Sequence, residues 1–109
     1  MEEEIVIKLS PREIEKCLKE ISVRLQRALY VYEQSLINDN YNFKSYVYSV
    51  MLYINSFNSL CNYDLTNIII NLNTLYMNKE LNKKMVKKII MESKHMVTDI
   101  KKKWSDNIG

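Results

Sequence analysis

Glycine is almost absent from this chain, and that absence limits the folds open to it. The 109 residues include a single glycine, which is the last residue, and a single proline. Glycine supplies the backbone conformations required by phosphate-binding loops, G-x-G-x-x-G turns and G-x-S-x-G nucleophile elbows. The tight turns of many-stranded sheets depend on it as well. The sequence therefore excludes these sites and predicts an all-α fold.

The length and composition predict one globular domain over residues 1–109. Apolar residues make up 47% and charged residues 27%, which suits one hydrophobic core. The acidic start Met-Glu-Glu-Glu lacks the pattern of a signal peptide, and the uncharged stretch 45–63 carries too many Asn and Ser residues for a membrane span. Cys17 and Cys61 are expected to be free thiols. We therefore expect a cytoplasmic protein, in the host cytoplasm if the source is a virus.

Hydrophobic periodicity predicts an antiparallel bundle of about four helices behind a short extended N-terminal segment. Residues 4–9 alternate as in a strand, so residues 1–9 either form an arm on the bundle or pair with a second copy. Ser10, Pro11 and Glu13 have the spacing of a capping box. The predicted helices span residues 11–38, 43–61, 65–76 and 80–104.

The periodicity also predicts which side chains face the core. In the first helix these are Ile14, Leu18, Ile21, Leu25, Leu29, Tyr32 and Leu36. In the second they are Val47, Val50, Met51, Ile54 and Phe57, and in the third Leu65, Ile68, Ile69, Leu72 and Tyr76. In the fourth they are Met85, Ile89, Ser93, Met96, Val97, Ile100 and Trp104.

Two helices carry additional apolar residues at seven-residue spacing, away from the predicted core face. The two sets are Val23, Tyr30 and Ile37 on the first helix and Tyr46, Tyr53 and Leu60 on the second. Heptad spacing keeps each set on one side of its helix. We expect these sets to form a protein interface, either between two copies of the chain or with another protein. The alternative is that they are the edges of a broad core.

The last helix is strongly basic on its outer side. Lysines fall in two rows at seven-residue spacing, Lys83, Lys87, Lys94 and Lys101 in one and Lys84, Lys88, His95 and Lys102 in the other. Such a surface is typical of a solvated helix, of a site for an acidic protein, or of a face that contacts nucleic-acid phosphates. Because this helix offers no arginine or aromatic residue among the lysines, base-specific reading is not expected.

The sequence offers little for catalysis or metal binding. His95 is the only histidine and falls on the outer side of its helix, among the lysines. The spacing of Glu92 and His95 resembles half of a Glu-x-x-His metal motif, but neither residue points inward. We therefore predict no catalytic site, no metal site and no cofactor.

Taken together, these patterns predict a small non-enzymatic helical protein-binding module. Its size and composition favour an inhibitor or accessory factor of a phage, virus or plasmid, which docks onto a protein partner and forms a homodimer. The alternative is a nucleic-acid-binding accessory protein that uses the lysine rows of the last helix. Membrane association is not expected.

Overall fold

Four helices form the regular structure of the described residues, which are 9–59 and 64–108 of a computed structural model, with side chains up to Lys103. The helices are α1 (Pro11–Ser35), α2 (Phe43–Asn58), α3 (Thr66–Met77) and α4 (Lys83–Ile108). Each helix contacts the next one along the chain, and α1 also contacts α4, so the four form a closed ring around one core. This confirms the predicted all-α bundle.

Neighbouring helices run antiparallel. The ring of Phe43, at the start of α2, packs edge-on against Tyr32 near the end of α1, with 5.1 Å between centroids. Further along α2, Tyr53 contacts Arg24, which lies earlier in α1. Between α4 and α1, Lys83 pairs with Glu33 and Lys94 with Gln26, again in opposite order. The short connections enforce this arrangement.

The core consists mainly of Ile, Leu and Val side chains from all four helices, and each fully buried one contributes about 1.5–3 kcal/mol. Ala28, Tyr32, Phe43 and Phe57 complete the core. Among the fully buried side chains are Leu18, Leu25, Ile54, Leu72 and Ile90. One polar side chain joins them, because Ser93 is completely buried. Its hydroxyl donates to the carbonyl oxygen of Ile89 at 2.9 Å and accepts from the Asn71 amide at 3.2 Å. Both hydrogen bonds offset the cost of burying a polar group.

Asparagine side chains supply many of the capping hydrogen bonds in the described turns. At helix ends and in the turns, the side-chain oxygens of five asparagines accept backbone N–H groups, namely Asn38, Asn42, Asn58, Asn78 and Asn82. The predicted capping box at the start of α1 is confirmed, since Ser10 and Glu13 each accept the other's backbone N–H. These local hydrogen bonds stop and start the helices without left-handed backbone.

The structure differs from the predicted core in several places, and in α3, for example, Leu75 is fully buried while the predicted Tyr76 is only half-buried. The prediction that Leu36 faces the core is wrong, because α1 ends at Ser35 and Leu36 lies exposed in the following turn. In the first half of α4 the buried residues come one position later than predicted, since Val86 and Ile90 are fully buried while Met85 and Ile89 are only half-buried. Further along α4, Ser93 and Val97 are buried as predicted. The position of α4 against both α1 and α3 selects this face.

The observed helix ends also shift by a few residues. The described part of α2 ends at Asn58, and α3 begins at Thr66, where Asp64 accepts the N–H of Thr66 at 2.9 Å. The fourth helix begins at Lys83, after Asn82 accepts the N–H of Met85. Four predictions lie outside the described residues, namely the strand over 4–9, of which Leu9 alone is described, the environment of Cys61, the place of Leu60 and the side chain of Trp104.

Candidate functional site

The outer α1 stripe, which we define as Val23, Tyr30 and Ile37, faces away from the core. The exposed fractions are 42% for Val23, 51% for Tyr30 and 80% for Ile37. Val23 and Tyr30 line a shallow depression on α1 together with Gln26 and Arg27. Ile37 lies beyond the last residue of α1, in the turn that follows. The stripe is thus an apolar strip on the surface that none of the other described helices covers.

Tyr30 is held in place by a second tyrosine. Its ring meets the ring of Tyr41 edge-on, with 6.3 Å between centroids and 84° between planes. Hydrogen bonding to Tyr41 is the main reason why the pKa of the Tyr30 hydroxyl is raised. A tyrosine fixed in this way presents its apolar ring outward at a reduced cost in side-chain entropy.

The second predicted set has a different environment. Tyr46 and Tyr53 lie half-buried in the seam between α2 and α1, where the Tyr46 hydroxyl is 3.5 Å from the carbonyl oxygen of Arg24. The Arg24 guanidinium sits 4.1 Å from the centre of the Tyr53 ring, and Glu20 holds it there at 3.0 Å. The structure therefore does not bring Tyr46 and Tyr53 together with the outer α1 stripe on one open surface.

The two lysine rows of α4 differ in their surroundings. We call Lys83, Lys87, Lys94 and Lys101 the seam row and Lys84, Lys88, His95 and Lys102 the outer row. In the seam row, Lys94 donates to the Gln26 side chain at 2.6 Å, and Lys83 lies 3.4 Å from Glu33. The outer row is exposed along its length. The seam row therefore follows the line where α4 meets α1.

Because α1 and α4 are antiparallel neighbours, α1 enlarges the basic surface of α4. Arg12, Lys16 and Lys19 are exposed and line a depression near the start of α1 together with Glu15. The antiparallel pairing of α1 with α4 places this end of α1 beside the end of α4 that carries Lys101 and Lys102. Arg27 is exposed further along α1. We call this combined surface the basic face. Sequence reasoning did not predict the α1 part of the basic face. Helical-wheel projections of the first and last helices, placed side by side as antiparallel neighbours, would have indicated it.

The described residues outside these surfaces include few side chains that could act in catalysis or bind a metal ion. His95 is exposed, and no cluster of three or more His, Cys, Asp or Glu residues occurs among the residues that the structure describes. Cys17 is half-buried beside Tyr53. Within the same described part of the chain, none of the helices combines the length and apolar character required to cross a bilayer. The chain matches no protein-family model, no curated protein and no solved structure.

Proposed function

We propose that this protein is a non-enzymatic protein-binding module that docks through the outer α1 stripe. The proposal depends on one observation, which is that Val23, Tyr30 and Ile37 are exposed on the side of α1 that faces away from the core. A tyrosine braced by Tyr41 and flanked by aliphatic side chains has the composition of an interface anchor. An inhibitor or accessory factor acts in this way, by covering a surface of its partner.

The charges around the stripe favour an acidic partner. Gln26 lies in the depression with Val23 and Tyr30, and it is bound by Lys94 of the seam row. Arg27 borders the same depression. A partner with an apolar ridge bordered by Asp or Glu residues would satisfy both the stripe and these cations.

The homodimer that the sequence predicts stays a prediction, and the outer α1 stripe suits it poorly. Two copies that met through this stripe would bring Arg27 and Lys94 of each copy toward the same basic groups of the other. Like charges at an interface oppose association. A dimer therefore requires a different surface.

Site-specific photocrosslinking tests the proposed docking surface. Benzoylphenylalanine at position 30 should capture a protein other than this chain in the source cells, whereas the same group at position 48 should capture no such partner. Tyr48 is a matched control because its exposed fraction is 48%, against 51% for Tyr30. The captured partner, once purified, should bind the Tyr30→Glu variant at least about tenfold more weakly than the native protein, a loss typical of an interface anchor. It should bind Tyr48→Glu as it binds the native protein.

An unchanged affinity of the captured partner for Tyr30→Glu would contradict the proposal. So would equal crosslinking of that partner from positions 30 and 48, because the partner would then contact the α1 surface no more than the opposite side of the bundle. Circular dichroism of both variants checks that the substitutions leave the helices intact.

A second function, binding of nucleic-acid phosphates, is favoured by one specific observation. The basic face spans two helices, and α1 adds Arg12 and Arg27, the residue type that α4 lacks. A surface of this kind would hold a phosphate backbone through sequence-independent charge.

A further inference from the structure

The side of the bundle opposite the basic face is nearly free of charge. Within α2 and α3 as described, Lys44 is the one ionised side chain. Its ammonium group donates to the carbonyl oxygens of Tyr76, at 2.8 Å, and of Asn78. Lys44 is therefore engaged with the end of α3.

This uncharged side carries a set of exposed apolar residues. Tyr48 and Leu52 lie one turn apart on α2, and Ile70 and Met77 lie two turns apart on α3, all of them exposed. The ring of Tyr48 packs 5.5 Å from that of Tyr76, so the exposed rows of the two helices adjoin across their seam. We call this surface the neutral face.

Three hydroxyl groups on α2 and α3 already have hydrogen-bond partners. The Ser49 hydroxyl donates to the Tyr46 carbonyl oxygen at 2.6 Å, and that of Ser56 donates to Leu52 at 3.0 Å. On α3, the Thr74 hydroxyl donates to Ile70 at 3.0 Å. Since these three hydroxyls are satisfied within their own helices, covering them leaves no unpaired donor, and the exposed amides of Asn55 and Asn73 can pair with polar groups of the covering surface.

We propose that the neutral face binds a second copy of this chain and forms a symmetric dimer, an inference that does not depend on the proposed docking through α1. A charged partner would find no ion to pair with on this face, whereas a second copy supplies the same uncharged surface. In a two-fold symmetric dimer, the neutral face of one copy contacts the neutral face of the other. The cores of protein interfaces are typically poor in charged residues, as this face is. The basic faces of the two copies would then point apart, so that their repulsion is small.

The size of the neutral face sets the expected strength of the dimer. The 16 residues of α2 extend over about 24 Å, and two packed helices are about 20 Å wide. This footprint is about 480 Å² per copy and about 960 Å² for the pair, below the roughly 1,200 Å² of stable interfaces and in the range of weak ones. We therefore expect dissociation constants in the micromolar range, about 1 to 100 µM.

Sedimentation equilibrium tests the dimer, with the native protein followed from about 1 to about 500 µM, a range that brackets the expected dissociation constant. The native protein should change from monomer to dimer across this range. Leu52→Glu and Ile70→Glu should each weaken the dimer at least about tenfold, because each would bury a carboxylate twice across the two-fold axis. Val23→Glu, at an exposed apolar position on α1, should leave the dimer unchanged.

Two results would overturn the inference. One is a native protein that stays monomeric at the highest concentration. The other is a dimer that Val23→Glu disrupts and Leu52→Glu does not. Circular dichroism monitors the fold of each variant, and Leu52→Gln replaces Leu52→Glu if the latter unfolds. Because partner capture uses Tyr30 and dimerisation uses Leu52, failure of either proposal leaves the other intact.

Discussion

At the scale of single residues, Tyr53 joins several interactions in the α1–α2 seam. Burial raises the pKa of its hydroxyl to about 12, hydrogen bonding to Cys17 adds to this shift, and the positive charge of Arg24 opposes it. The ring also receives the Arg24 guanidinium on its face at 4.1 Å. The neutral phenol is therefore the form that the folded protein favours.

This preference predicts a loss of stability at high pH. Because the folded-state pKa lies above the ordinary value of 10, the contribution of Tyr53 is present in full below pH 10 and is lost as the pH rises toward about 12. Urea unfolding at a series of pH values should show the native protein losing more stability over this interval than Tyr53→Phe. Parallel losses in the two proteins would contradict the assignment. Ultraviolet titration should show one phenol fewer ionising near pH 12 in the variant.

For buried Ser93, the sequence predicted the position of the side chain but not its hydrogen-bond partner on another helix. Its inward position was predicted from spacing alone, and the structure confirms it. Its hydrogen bond with Asn71 of α3 was not predicted, because no local pattern records a contact between residues 22 positions apart.

At the scale of helices, periodicity predicted the number of helices and most of the core, but not the exact face of α4. Ile89 was predicted to be central, and the structure gives that place to Ile90. Consecutive apolar residues such as Ile89 and Ile90 make two neighbouring faces almost equally hydrophobic. Only contact with α1 on one side and α3 on the other decides between them.

These two isoleucines provide a matched pair for measurement. Ile90→Ala should reduce the free energy of unfolding by about 2–5 kcal/mol, because Ile90 is fully buried and the substitution leaves a cavity. Ile89→Ala removes the same atoms from a half-buried position and should cost less than half as much. Chemical denaturation of both variants measures the difference. Equal losses, or a larger loss at Ile89, would show that α4 is rotated from the described position.

Loops and helix ends were less accessible to sequence reasoning than the helices. The first helix was predicted to reach residue 38, since Leu36 continues the apolar spacing, yet α1 ends at Ser35. Spacing cannot detect where the backbone leaves the helix. The asparagine side chains that cap the neighbouring turns were recognisable as turn formers, but their individual partners follow from the fold.

At the scale of the whole molecule, charge is divided between two sides. Residues 41–77 contain one basic and one acidic group, whereas residues 78–109 contain nine lysines. The ring order of the helices places α4 beside α1, with Arg12 and Lys16 next to its end, and leaves α2 and α3 together on the neutral side. The sequence shows that charge is uneven along the chain. Only the order of the helices around the core shows that the basic residues of α1 and α4 lie on the same side of the molecule.

This division predicts the form that nucleic-acid binding would take. Mobility shifts with a duplex and a single strand should show binding at about 50 mM salt that weakens steeply by about 200 mM, without sequence preference. Lys16→Glu should weaken binding as much as Lys102→Glu, because both belong to the basic face. Tyr48→Glu, on the neutral face, changes the charge by one unit where each Lys→Glu substitution changes it by two, and it should therefore have less than half of their effect. No shift at about 50 mM salt would exclude this function.

The turns have a consequence for how freely this protein can be changed. No residue in the described ranges 9–59 and 64–108 has a positive φ. Every described turn thus uses backbone angles that all L-amino acids adopt at little cost. Turn positions whose side chains do not cap a helix, such as Asp39 and Lys79, should accept most residue types. A library that randomises these positions should therefore remain largely folded, so the connections can be diversified as new binding loops while the four helices stay fixed.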